Sequence, residues 1–301
     1  MKNSKTISSE EPGPEEIKPI VLLLLDGLGI APASEANAIS LSQMPVFSRL
    51  VNDYPVALLN VKKKSLNARY LSIGAGCHLI NENYKPSTDL SKLVSEAGYN
   101  QIKISETERL AALTYFFNAG REEKLSGEDW EVFSSRKEKE VAFSALNKIS
   151  LSLKKALKTE KYKLLVVSIP SLDIAAQTED LEGIIKTAES LDKKLAAVVE
   201  NILDSGAVLL ISAACGNAEN IKNMATDLSD RKMTDNPVPL IIIGEGLSGK
   251  TFGLSEPLNG DLSLLAPSGG LEDITPTILE LLDISIPADI KGVSLWNKNL
   301  K

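Results

Sequence analysis

The chain has 301 residues, with 33 basic and 40 acidic side chains, a formal charge of −7, one histidine and two cysteines. That balance excludes a basic nucleic-acid footprint, which needs clustered Lys and Arg, and two cysteines cannot staple a secreted disulfide scaffold. A single imidazole excludes any centre that needs two or more, and so most zinc hydrolase sites and the helical His-Glu-x-x-His motif.

Residues 1–18 are polar and rich in Ser, Glu and Pro. They have no apolar stretch of the kind a secretory leader carries, so a disordered polar tail is expected, followed by a single domain over 19–301. Ile20 to Leu25 is a continuous apolar run, far short of the roughly 20 residues of a membrane span. The chain therefore reads as cytoplasmic, with no membrane partner. The run suits a strand buried on both faces of a parallel sheet. Asp26 would then stand at its carboxyl end, where open α/β sheets place ligands.

A helix is expected over Ala36 to Val51 and a strand over Val56 to Leu59. Further strand-like runs lie at Leu113 to Phe117, Leu164 to Val167, Ala207 to Ile211 and Val238 to Ile243. Leu90, Leu93, Val94 and Ala97, ended by Gly98, predict a helix, as do Leu146 to Leu157 and Ile274 to Leu282. The clearest helix is Asp180 to Leu203, with one apolar face, an Asp180 N-cap and a Gly206 stop. Arg121 to Glu140 and Gly244 to Gly270 read as surface excursions. Strands alternating with helices predict an α/β fold: a doubly wound, mostly parallel sheet with helices on both faces.

Several segments in this order carry a resemblance. They are Leu24-Leu25-Asp26-Gly27-Leu28-Gly29, Asn37-Ala38-Ile39, Ile73-Gly74-Ala75-Gly76, Ser105-Glu106-Thr107-Glu108-Arg109, Tyr115 to Glu122, Gly216-Asn217-Ala218-Glu219, Asn236-Pro237-Val238-Pro239-Leu240 and Gly269 to Thr277. From about Pro19 to Trp296 the chain resembles the cofactor-independent phosphoglycerate mutases of the alkaline phosphatase superfamily. The resemblance implies a phosphatase-like α/β core holding two divalent metals, usually manganese. It also implies a serine nucleophile and an inserted domain that closes on substrate with arginines. Two such metals clamp the attacking and leaving oxygens.

Carried over position by position, that machinery is depleted. The first metal aspartate resembles Asp26. The nucleophile position is Leu66, with Ser65 as its neighbour. The Asp-x-x-x-His pair reads Asp173 and Gln177, and an Asp-His pair reads Ala214 and Cys215. The last metal histidine falls at about Met233, and a family lysine becomes Arg109. Only Asp26 and Asp173 keep a family-type metal ligand. Some thirty residues separate Gly76 from Ser105, where the resemblance implies a whole inserted domain.

Structural roles compete with chemical ones at several of these positions. Asp26 would hydrogen-bond amides of the following turn, and Asp173 would make a local turn or helix cap. Cys215 would be an inert buried thiol. His78 beside Cys77, read on a strand, would point to the opposite face. Lys62-Lys63-Lys64 ahead of Ser65 would be a solvated patch rather than an anion site. Gly216 to Glu219 would either open a helix whose N-terminus suits a phosphate or equally serve the geometry of a turn.

The leading expectation is a phosphoglycerate-mutase-like domain without catalysis, a pseudoenzyme acting as a binding, scaffold or regulatory module. It would have no cofactor, and its partner would be another protein or a second copy. The alternative is a residual metal-dependent phosphatase or phosphomutase, an isomerase-like relative of a glycolytic enzyme. Its rearranged Mn or Zn site would use Asp26, Asp173, Cys215, Glu219 and Asp235. A third reading is a sensor of a small phosphorylated ligand held by Arg109, Arg121 and Asn217.

Overall fold

The computed structural model describes residues 17–62, 64–78, 83–134, 139–223, 228–251 and 258–296. In chain order its strands are β1 (Ile20–Leu25), β2 (Val56–Asn60), β3 (Asn100–Glu106), β4 (Glu128–Phe133), β5 (Tyr162–Ile169), β6 (Val208–Ser212), β7 (Lys222–Asn223), β8 (Leu228–Ser229), β9 (Val238–Ile243) and β10 (Gly269–Gly270). The helices are α1 (Ala38–Leu41), α2 (Pro45–Asp53), α3 (Leu66–Ala75), α4 (Leu90–Glu96), α5 (Lys139–Lys158), α6 (Ser171–Thr178), α7 (Leu181–Asp204) and α8 (Ile274–Leu281).

Eight strands form one sheet in the order β10-β2-β9-β6-β1-β5-β3-β4, and β7 pairs with β8 separately. β1 runs parallel to β5 and β6 on either side of it, and every one of its residues is buried. A strand covered on both faces has no polar side, which is why Ile20 to Leu25 carries no alternation. β9 is antiparallel to both β6 and β2, so the sheet is mostly, not wholly, parallel. The helices fall into two packed groups: α1, α2, α5 and α6 against α7, and α3, α4 and α8 against one another. The chain is a single α/β domain.

α7 is built as its sequence implies. The Asp180 carboxylate accepts from the Gly183 amide at 2.9 Å. Ile184, Ala188, Leu191, Leu195, Val198, Val199 and Ile202 are buried on one face. Asp192 lies on that same face because it accepts the Val46 and Phe47 amides, capping the start of α2 from across the fold.

Four expectations are corrected. Leu113 to Phe117 is not a strand: Ala112–Phe116 is π-helical, with the Phe117 amide donating to Ala112 and the Gly120 amide to Tyr115. The apolar run packs that widened turn on α3, so closely that a Cβ on Gly74 would lie 1.9 Å from the Phe117 carbonyl oxygen. The helix expected over Ala36 to Val51 is two, α1 and α2, because Pro45 starts a new helix rather than continuing one. Arg121 to Glu140 contains an edge strand, β4. Cys77 and His78 lie on no strand but just past Gly76, the left-handed cap of α3 (φ +55°).

The expected tail lies outside the described residues except for its last two. The Ile17 carbonyl accepts from Lys163 Nζ, and Lys18 reaches Glu245. Among the described residues no helix is long and apolar enough to cross a membrane.

Candidate functional site

The carboxyl ends of the parallel strands converge on Asp26. It follows β1, and its carboxylate is fully buried. Oδ1 accepts the Ala214 amide at 3.0 Å, from the loop after β6. Oδ2 accepts Arg109 Nε at 2.7 Å, from the 3₁₀ turn after β3, and the Tyr70 hydroxyl at 2.7 Å, from α3. Asp173, in the first turn of α6, takes Arg109 Nη2 and Gln177 Nε2 on Oδ2 and Asn217 Nδ2 on Oδ1. One guanidinium thus joins the two carboxylates that sequence had marked as metal ligands.

Backbone geometry fixes this arrangement. The Asp173 amide donates to the Asp26 carbonyl at 3.0 Å, and the Gly27 amide to Cys215 at 2.8 Å. Gly27 has φ +98°, and a Cβ there would stand 2.4 Å from the Asp173 nitrogen. Only glycine allows β1 to end this close to α6.

The electrostatics follow from burial. Removal from water pushes the Asp26 carboxyl up from its ordinary value, and Arg109 and Tyr70 pull it back. Burial opposes the Arg109 charge, but Asp26, with Tyr70 and Asp173, overcomes it and holds the guanidinium firmly protonated. All three Asp26 contacts are donors, which fits an ionised carboxylate. Burial also pushes the Tyr70 hydroxyl well up, with Asp26 adding to it, so it stays a donor.

The positions read off the family pattern do converge. A cleft of about 540 Å³ lies beside Arg109 and Asp173, and Leu66, Gln177 and Met233 line it. Ala214 meets Asp26 through its amide. Their chemistry is the obstacle: Leu66, Ala214 and Met233 offer no hard-metal donor, and Gln177 donates its amide to Asp173. Ser65 is the N-cap of α3, its hydroxyl oxygen accepting the Ala68 amide at 3.2 Å. Cys215 is fully buried, and burial, with Asp26 and Asp173, pushes its thiol well above the ordinary value.

Other expected members are held elsewhere. Glu219 accepts the Asn217 amide at 2.7 Å, Asn236 Nδ2 at 3.0 Å and the Thr234 hydroxyl. Asp235 pairs with Arg69 at 2.8 Å. Arg121 is not at the cleft, because it pairs with Asp89, the N-cap of α4, at 2.6 Å. Gly216 to Glu219 opens no helix: Gly216 bridges Gly27 and Thr234, and the Asn217 and Ala218 amides are taken by Glu219 and Gly27. Asp26 binds a distant loop rather than its own turn, because a buried carboxylate needs a compensating cation. Asp173 is not a helix cap, since its carboxylate accepts only the side chains of Arg109, Gln177 and Asn217.

Among the described residues, no three His, Cys, Asp or Glu side chains cluster so as to hold a metal ion. The donors present do not fit the two-metal centre that the resemblance implies. Sequence reading missed the bridging role of Arg109, which it took for an anion binder, and the part of Tyr70. The signal for Arg109 was its exchange for a family lysine: a planar fork can meet two carboxylates where an ammonium presents one point charge.

The fold and the cleft at the strand ends define an alkaline-phosphatase-like protein. An alkaline phosphatase from the Antarctic bacterium TAB5 superposes with a TM-score of 0.57 at 10% identity, covering 90% of this chain and 100% of that one. The phosphoglycerate mutase of Leishmania mexicana gives a TM-score of 0.57 at 25% identity, over 67% of this chain and 38% of that one. A phosphoglycerate mutase of the 2,3-bisphosphoglycerate-independent type from Chloroflexus aggregans is 36% identical over 220 residues, 71% of this chain and 38% of the relative. The chain thus spans well under half the length of that curated relative. Residues 18–286 match the model of the Metalloenzyme superfamily, and the chain belongs to that family.

Proposed function

We propose that this is a phosphoglycerate-mutase-like domain that has exchanged catalysis for binding, a non-catalytic module that engages another protein or a second copy of itself in the cytoplasm. The observation that carries the reading is the Arg109 guanidinium seated between Asp26 and Asp173. A guanidinium supplies the positive charge those carboxylates require, yet it has no vacant coordination position for a phosphoryl oxygen and cannot activate a nucleophile.

Two further observations support it. The nucleophile position is the aliphatic Leu66, which lines the cleft. Between α3 and β3 the described residues supply one short helix, α4, where the resemblance implies an inserted domain. The buried hydrophobic framework is intact, so the fold is specified without the chemistry. On this reading no metal is required, and manganese or zinc has no role.

The test is an assay of the purified chain with a generic aryl phosphate and with 3-phosphoglycerate, each in the presence of manganese. Rates equal to a mock preparation are expected. Turnover that disappears in the Asp26→Ala variant would overturn the reading.

A further inference from the structure

A second cluster lies at the other end of the Lys62–Lys64 run. Lys62 follows β2, Lys64 precedes the cap of α3, His78 follows the end of α3, and Glu272 sits in the 3₁₀ turn Leu271–Asp273 ahead of α8. Lys62 Nζ and Lys64 Nζ each stand 3.3 Å from His78 Nδ1. The nearest counter-charge is Glu272 Oε1, 3.8 Å from Lys62 Nζ and 3.9 Å from His78 Nδ1.

Beneath them is a cavity of about 10 Å³, whose lining includes all four side chains together with Arg69 and Ser72. That volume holds about one oxygen-sized probe. Ser72, on α3, is 3% exposed, and its hydroxyl has no hydrogen-bond partner. A buried hydroxyl without a partner is unfavourable until something meets it. Arg69 is already engaged by Asp235, Thr234 and Lys64 and serves as a fixed wall.

We propose that this cluster is an oxyanion site for a phosphate group, with one oxygen seated in the cavity on Ser72 Oγ and the outer oxygens met by Lys62, Lys64 and His78. A converging set of basic groups with one carboxylate among them is repelled from within, and an anion relieves that repulsion. Burial, then Lys64 and Lys62, already hold the His78 imidazole below its ordinary value against the pull of Glu272. Burial and Lys62 likewise hold Lys64 down, with Glu272 opposing. The site adjoins the cleft beside Arg109 and Asp173, since Lys64 and Arg69 line both, but it uses none of Asp26, Arg109 or Asp173 and does not depend on whether the chain is catalytic.

The chain carries one histidine, so its imidazole proton resonances read the site without substitution. The experiment follows the pKa of His78 by proton NMR under rising inorganic phosphate, rising glycerol phosphate, and chloride at matched ionic strength. A saturable rise of about one unit with phosphate, tenfold in proton affinity, is expected, with little change in chloride. Ser72→Ala, a small deletion that leaves the fold intact, should weaken phosphate binding about tenfold, and Lys62→Met should weaken it too. Tighter binding of the ester than of inorganic phosphate assigns a phosphomonoester, and the reverse assigns the free ion. A phosphate response no larger than that of chloride, or unchanged binding in Ser72→Ala, would overturn the proposal and leave the cavity as a water site.

Discussion

Arg109 Nε stands 2.7 Å from Asp26 Oδ2 at the carboxyl end of β1, and the same guanidinium reaches Asp173 through Nη2. This pairing puts a covalently attached cation at the place where the resemblance implies a bound one.

Removal of that cation should be severe. Arg109→Met strands two buried carboxylates and is expected to lower the unfolding free energy by about 3–5 kcal/mol. Adding Asp26→Asn and Asp173→Asn to the same chain should restore most of the loss, since an uncharged set needs no counter-ion. Urea denaturation of the single and triple variants checks both; a single-variant loss under about 1 kcal/mol would mark the pair as no stronger than a surface ion pair.

Gly27 should tolerate no side chain. At φ +98°, with a Cβ 2.4 Å from the Asp173 nitrogen, Gly27→Ala combines backbone strain with a backbone clash. The expected loss is about 3 kcal/mol or more. Thermal unfolding measures it, and a melting temperature equal to the parent's would contradict the account of how β1 and α6 meet.

The two thiols should behave differently. Cys215 is fully buried with its thiol pushed well up, whereas Cys77 is half-buried with a smaller rise from burial and Glu272. Under native conditions a disulfide reagent should titrate Cys77 slowly and leave Cys215 untouched, and both should react in denaturant. Rapid native modification of Cys215, identified by peptide mass, would refute its placement.

A separate buried ion pair lies on the outer strands. Lys103 on β3 contacts Glu128 on β4 at 2.8 Å, hydrogen-bonds Asn118 and lies over the Phe117 ring. Burial lowers its pKa from 10.5 to about 8 despite the pull of Glu128. Between those values the unfolded chain holds a proton that the native chain has released, so this group makes stability rise with pH. Relative to a Lys103→Met/Glu128→Gln variant, the parent should gain about 1–3 kcal/mol from pH 8 to pH 10. Denaturant midpoints at the two pH values provide the measurement, and a flat difference would contradict the assignment.

The central strands and α7 were legible because burial on both faces, or on one helical face, leaves a dominant apolar pattern, which in α7 the single buried Asp192 does not obscure. β3 was not, since Gln101 and Lys103 break its apolar run. Both are buried on tertiary partners: Gln101 donates to the Ser91 carbonyl, and Lys103 meets Glu128. Leu113 to Phe117 misled because a short apolar run has the same composition in a strand and in a buried π-turn. At the site, counting from motifs picked out Leu66, Gln177 and Met233, which line one cleft, and Ala214, whose amide meets Asp26. It did not reveal that Arg109 bridges the two aspartates, because the partners are 83 and 64 residues away and meet only when β1, β3 and β5 are aligned.

If Arg109 neutralises Asp26 and Asp173 in place of a metal, elemental analysis of the purified chain after equilibration with manganese or zinc and desalting should find almost none. Retained metal far below one ion per chain is the predicted result, and one or two tightly held ions per chain, lost in Asp26→Ala, would contradict it.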